Sequence, residues 1–174
     1  PVIVENRPGA NGNIGSAYVA KNQPADGHTL LLGSTSTLAT NPHLYGTMGY
    51  DPLKDVQPVT LTHQMPNVLI AGPAAPYDTV QALVQAARDK PGDIAFGSAG
   101  NGNSMHLAGV LFQQRSDTEL MHVPYQGGPP ALNDVMGGQI PTMFINLPAI
   151  VTFEKAGRVR ALAVTDTKRS PVMP

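Results

Sequence analysis

Three segments of the 174-residue chain gather small polar groups where a ligand could be held. "GSTST" (Gly33 to Thr37) offers the hydroxyls of Ser34, Thr35, Ser36 and Thr37. "GSAGNGNS" (Gly97 to Ser104) offers hydroxyls, side-chain amides and backbone N–H groups just before a helix-like run. "PYQGG" (Pro124 to Gly128) adds a phenol and more N–H groups before another. A helix N-terminus carries unpaired N–H groups and about half a positive charge, so it attracts anions. Two such starts facing one cleft would hold a carboxylate without Arg or Lys. Each loop alone reads as a turn with capping residues; the second and third together point to binding.

Catalytic patterns are weaker. His28, His43, His63, His106 and His122 show no H-x-x-x-H metal spacing. His106 follows Ser104 by two residues, which suggests a hydrolase using Ser104 or Ser98 with His106 as base. The segment is not G-x-S-x-G, however, because Phe96 stands at the first glycine position in the register centred on Ser98. His106 reads instead as a helix residue beside the cleft and His122 as a strand residue. Asp26, Asp51, Asp55, Asp93, Asp134 and Glu154 fall in turns or on polar helix faces and form no acid/base pair. The opening "VENRPGANGNIG" spaces Gly9, Gly12 and Gly15 three and three, not as G-x-G-x-x-G. The acid expected about 20 residues later is missing. That turn reads as structural, oriented by Arg7 through hydrogen bonds or a pairing with Glu5.

Positioning these loops requires alternating strands and helices. Residues 2–4, "HTLLLGSTST", "VQPVTLTHQ", "NVLIAGP", "DIAFGSAG", "LMHVPY", "QIPTMFIN" and "VRALAVT" read as strands. A helix begins near Ile14 and stops at Pro24; another follows Asp78, read as its cap, with Gln81 completing a capping box. In "SMHLAGVLFQQ" the spacing turns Leu107, Ala108, Leu111 and Phe112 inward. "GGPPALNDVMGG" and "PAIVTFEKAG" read as short helices, and "NPHLYGTMGYDPLKD" as a loop. The order predicts an α/β fold with mostly parallel sheets flanked by helices.

Composition narrows the function. Charged residues make up 13% of the chain and the net charge is -1, against about a quarter charged in an average protein. Without a basic cluster, nucleic acid is excluded as a partner. The chain has no cysteine, which excludes disulfides and thiolate chemistry. No metal or cofactor motif is present. The start at Pro1 and the end at "SPVMP" read as those of a fragment.

Six stretches, in order along almost the whole chain, resemble the substrate-binding receptors of tripartite tricarboxylate transporters, the Bug-type solute-binding proteins. They are "VENRPGANGNIG", "PADGHTLLLGSTSTLATNP", "YDPLKDVQPVTL", "SAGNGNSMHLAGVLF", "HVPYQGGPPALNDVMGGQI" and "GRVRALAVTDTKRSP". The resemblance implies a periplasmic receptor of the type-II binding-protein fold, exported by a signal peptide. It implies no enzyme activity, but capture of a small di- or tricarboxylate or amino-acid-like acid between two lobes, for delivery to membrane subunits. It also implies the contributors: Ser34, Thr35, Ser36 and Thr37 from one lobe, and Ser98, Ala99, Gly100, Asn101, Asn103, Ser104, Tyr125, Gly127, Gly128 and Asn146 from the other. On this view residues 1–66 form a partial first lobe, 67–170 the second, and 171–174 a truncated connection back. The complete receptor would be a monomer, and the truncated chain would have a loosened first lobe or pair with another copy. The family often carries "FDN" where this chain has Phe144-Ile145-Asn146. Losing that Asp favours a plain mono- or dicarboxylate over an acid bearing an amino group.

Overall fold

The computed structural model describes residues 1–173. The chain divides into two compact units, residues 1–62 and residues 63–174.

In the first unit, glycines shape the opening turn. Gly9 (φ 121°) and Gly12 (φ 90°) occupy backbone conformations that favour glycine, and Gly12 caps helix α1 (Asn13–Asn22). The Arg7 guanidinium pairs with Glu5 at 2.6 Å and lies 3.3 Å from the centre of the Tyr18 ring. A π-helical turn, Ser36–Thr40, runs directly into helix α2 (Asn41–Leu44). Pro42 lies in the first turn of α2, where its missing N–H costs nothing, so the start of the expected "NPHLYG" loop is helical. The buried centre is polar. Asn41 Nδ2 donates to Asn13 Oδ1 at 2.7 Å, and the Tyr50 hydroxyl donates to the Thr37 carbonyl at 2.6 Å.

The strands expected at residues 2–4, in "HTLLL" and in "VQPVTLTHQ" do not form. A strand persists only where its N–H and C=O groups enter a ladder, and these segments meet none among the described residues. Their apolar side chains lie bare: Val2, Ile3, Val4, Leu30, Leu32, Val59 and Leu61 are all strongly exposed.

The second unit carries one five-stranded sheet in the order β3-β2-β4-β1-β5. Its strands are β1 (Asn67–Ala71), β2 (Ala95–Ser98), β3 (Met121–Pro124), β4 (Thr142–Asn146) and β5 (Arg160–Val164). The sheet is mixed. β2 is parallel to β3 and β4, while β1 is antiparallel to β4 and β5. The expectation of mostly parallel pairing came from strand–helix alternation, which says nothing about the direction of β1. β1 is buried throughout and reads as the continuous apolar run of a central strand.

Helices α3 (Val80–Asp89), α4 (Ser104–Ser116), α5 (Gly128–Met136) and α6 (Val151–Lys155) complete the unit. Thr79, not Asp78, caps α3: its Oγ1 accepts from the Ala82 N–H at 3.1 Å. The inward face of α4 also differs from its simple periodicity. Met105 and Gly109 are buried, with Ala108 and Phe112 packed against the core, whereas Leu107 and Leu111 face outward. Gly109 sets this rotation. A methyl group there would lie 2.2 Å from the fully buried Phe96 ring, so the bare backbone lets α4 settle on β2.

Candidate functional site

Strand direction determines what gathers at one edge of the sheet. Because β2, β3 and β4 are parallel, their carboxyl ends at Ser98, Pro124 and Asn146 emerge together. The antiparallel partner β1 brings its first residue, Asn67, opposite Asn146. The α/β rule that ligands meet the carboxyl ends of parallel strands therefore applies to the loops after β2 and β3.

These two loops touch. The Tyr125 N–H donates to the Ser98 carbonyl at 3.0 Å. A methyl group on Gly100 would lie 3.5 Å from the Tyr125 carbonyl and 3.9 Å from Asn103 Nδ2. One on Gly128 would lie 3.6 Å from Met105 Cε and 3.9 Å from Ile145 Cδ1. The start of α5 therefore stands over an apolar floor of Met105 and Ile145, both buried.

Not every amide in this cluster is available. Asn103 caps α4, with Oδ1 accepting from the Met105 and His106 N–H groups at 3.0 Å each. The Gly100 N–H donates to Ser98 Oγ, and the Gly102 N–H to His106 Nδ1, both at 3.1 Å. At α5, Pro129 and Pro130 have no N–H to offer. Among the described residues, no internal partner takes the N–H groups of Asn101, Asn103, Ser104, Gln126, Gly127 and Gly128. Gly127, the N-cap of α5, has φ 123° and ψ 167° and gives the helix no side-chain cap.

One side-chain donor is also unspent. Asn103 is only 9% exposed, yet its Nδ2 has no hydrogen-bond partner. A buried amide donor left unpaired costs about 1–3 kcal/mol, so this position calls for an acceptor. Losing the cap has a separate cost. Asn103→Ala should destabilise the chain by about 0.5–2 kcal/mol, read as a shift of the urea midpoint; an unchanged midpoint would contradict the cap assignment.

Several residues occupy the edge but are already engaged. The Tyr125 hydroxyl donates to Asp134 Oδ2 at 2.6 Å. Burial and that carboxylate push the phenol up to about 12, so it stays protonated. Asn146 Nδ2 donates to Asn67 Oδ1 at 3.2 Å, and Asn67 Nδ2 donates to the Ser104 carbonyl at 3.1 Å. Ala99 packs against the core, and Asn101 is exposed.

In the first unit, Ser34 and Thr37 cap each other. Ser34 N–H donates to Thr37 Oγ1 at 2.9 Å, and Thr37 N–H to Ser34 Oγ at 3.4 Å. Ser36 and Thr37 are buried while Ser34 and Thr35 are exposed. The Thr35 carbonyl accepts from Thr40 Oγ1 at 3.5 Å.

The hydrolase arrangement does not form as the spacing suggested. Ser98 Oγ lies 2.7 Å from His122 Nε2, not beside His106. His106 follows Ser104 along α4, but its Nδ1 is turned back to Gly102. Ser98 is fully buried and also contacts the Gly100 carbonyl. No Asp or Glu forms an ion pair with either ring among the described residues. A nucleophile sealed from substrate, with no acid orienting its base, lacks the geometry of a working triad. Sequence reasoning missed His122 as part of the loop's support. Nothing local marks it, because its partner lies 24 residues away.

Comparison with known proteins fits this architecture. The family described as tripartite tricarboxylate transporter family receptor matches residues 1–174. The structure of R. palustris Rpa4515 with adipate is 40% identical, with a TM-score of 0.92, over 96% of this chain and 56% of that one. The periplasmic binding protein BugD is 34% identical, with a TM-score of 0.88, over 98% and 56%. MatC (Rpa3494) from Rhodopseudomonas palustris with bound malate is 27% identical, with a TM-score of 0.87, over 98% and 58%. The chain spans about half the length of the curated relatives it matches. No helix is long and apolar enough to cross a membrane among the described residues. A family match along every residue, joined to this fold, makes the chain a member of the tripartite tricarboxylate transporter receptors, which bind solutes and are not enzymes.

Proposed function

We propose that this chain supplies the acid-gripping edge of a periplasmic receptor that captures a small carboxylate and delivers it to the membrane subunits of a tripartite transporter. The carrying observation is the buried, unpaired Asn103 Nδ2, on one of two touching loops that together carry the open N–H groups of Asn103, Ser104, Gly127 and Gly128. These are donors without acceptors, and a carboxylate is an acceptor without donors. The absence of a cationic side chain from this donor set suits one or two carboxylates better than a polyphosphate.

The favoured class is a plain aliphatic dicarboxylate. Met105 and Ile145 give the start of α5 an apolar floor. That floor has no group to pair with a ligand amine, and it welcomes methylenes. Relatives solved with adipate and with malate support the class in general.

A thermal-shift panel of adipate, malate and glutamate tests this reading. Adipate should stabilise most, by about 2.7 kcal/mol when present at 100 times its dissociation constant. Asn103→Asp should keep the helix cap but place an anion where the acid sits, abolishing the response while leaving the unliganded midpoint nearly unchanged. No shift with any of the three acids would sink the proposal. A response to glutamate alone would refute the ligand class.

A further inference from the structure

The geometry points to a proton-operated latch: neutral His106 holds the Ser98–Ser104 loop in its binding shape through Gly102, and protonating that ring releases the hold, so acid affinity falls as the surroundings acidify. This inference rests on the receptor reading of the same loop.

The two rings fasten the loop at two points. His106 Nδ1 accepts the Gly102 N–H at 3.1 Å. That contact requires an unprotonated Nδ1 and leaves the proton on Nε2 in the neutral ring. His122 Nε2 meets Ser98 Oγ at 2.7 Å, and the same oxygen accepts the Gly100 N–H. Between them the histidines fix Ser98, Gly100 and Gly102, the frame from which Asn101, Asn103 and Ser104 present their amides. An imidazolium at position 106 would aim an N–H at the N–H of Gly102. The contact would turn from attraction to repulsion.

The rings are also stacked on each other. Their centres are 4.0 Å apart and their planes differ by 23°, while Phe96 stacks on His122 at 5.0 Å. A proton on either ring therefore sits against its neighbour or an apolar face. Among the described residues, the ring and hydrogen-bond contacts of the pair come from few groups. α4 contributes His106 itself and the Asn103 cap, β2 contributes Phe96 and Ser98, and β3 contributes His122. On α5, Asp134 is already taken by the Tyr125 hydroxyl. No carboxylate pairs with either ring among the described residues, so nothing there rewards the charged form.

The direction of titration agrees. Burial, helped by His106 alongside, pushes His122 down to about 4, and burial lowers His106. Both rings are then neutral at pH 7 and the latch is closed. A depressed histidine adds stability that is complete above its ordinary value of about 6.5 and is lost as pH falls through the folded value.

Two readouts on the whole chain test the latch. In the unliganded protein, nuclear magnetic resonance would follow the His106 ring nitrogens and the Gly102 amide from pH 7.5 to 4. The Gly102 amide should lose at least tenfold of its exchange protection as His106 titrates. Calorimetry with adipate would follow affinity over the same range. Wild type should lose at least tenfold more affinity than His106→Gln, which cannot titrate; comparing the two cancels protonation of adipate itself. Should His106→Gln fold poorly, the wild-type amide measurement decides alone. A Gly102 amide indifferent to His106 titration, or affinity rising on acidification, would overturn the latch. Failure of every acid to bind at any pH would refute the receptor reading, whereas the coupling of Gly102 to His106 would be settled without ligand.

Discussion

Phe96→Ala should destabilise the second unit by about 3–5 kcal/mol, the cost of emptying a large buried aromatic site. Phe96 has no exposed surface, stacks on His122 and meets Phe144 edge-on at 6.4 Å. It also fills the space that Gly109 leaves open on α4. Typical single-domain stability is about 5–15 kcal/mol, so this substitution takes a large share. Urea unfolding followed by circular dichroism would read it as a midpoint shift without a change in slope. A loss below about 1 kcal/mol would mean that the core collapses around the missing ring and that the packing account is wrong.

Gly127→Val should remove acid binding at a smaller cost in stability. Gly127 lies at φ 123° and ψ 167°, a region that is nearly glycine-only and strains other residues by about 1–3 kcal/mol. A β-branched residue would relieve that strain by rotating the peptide, which turns the Gly127 and Gly128 N–H groups away from the site. Pro129 and Pro130 cannot replace them, because neither carries an amide hydrogen. Adipate affinity should fall at least tenfold, equivalent to about 1.4 kcal/mol, in calorimetry on samples that remain folded. Folded protein with wild-type affinity would show that the mouth of α5 does not hold the acid.

Much of the second unit is legible in the residues themselves. β1 to β5 fall within the apolar runs; α3 and α4 begin at polar caps, and α3, α5 and α6 end beside proline or glycine. The loops after β2 and β3 stand out because glycine, serine and asparagine cluster there. One error came where a neighbour distant in sequence decides the outcome, another where two adjacent residues compete. Leu107 and Leu111 satisfy helical spacing, yet the Gly109–Phe96 contact rotates α4 and turns them outward. Thr79 displaces Asp78 as a cap by a single residue, which composition alone does not separate.

The first unit shows the opposite balance. "VIV" and "HTLLL" have the composition of buried strands, but a strand's hydrogen bonds must come from another segment, and none pairs with them among the described residues. The Asn13–Asn41–Tyr50 network had no signature at all, since its members are 28 and 37 residues apart.

From the sequence alone came the turns, most of the second unit's elements and the two loops able to face an acid. Each of these depends on a residue's own backbone preference or on partners a few positions away. Tertiary structure decided the direction of β1, which amides remain open, and the pairing of Ser98 with His122 where spacing had suggested His106. A hydrogen-bond donor counts as free only after every distant acceptor has been placed, and that accounting exists only in the folded chain.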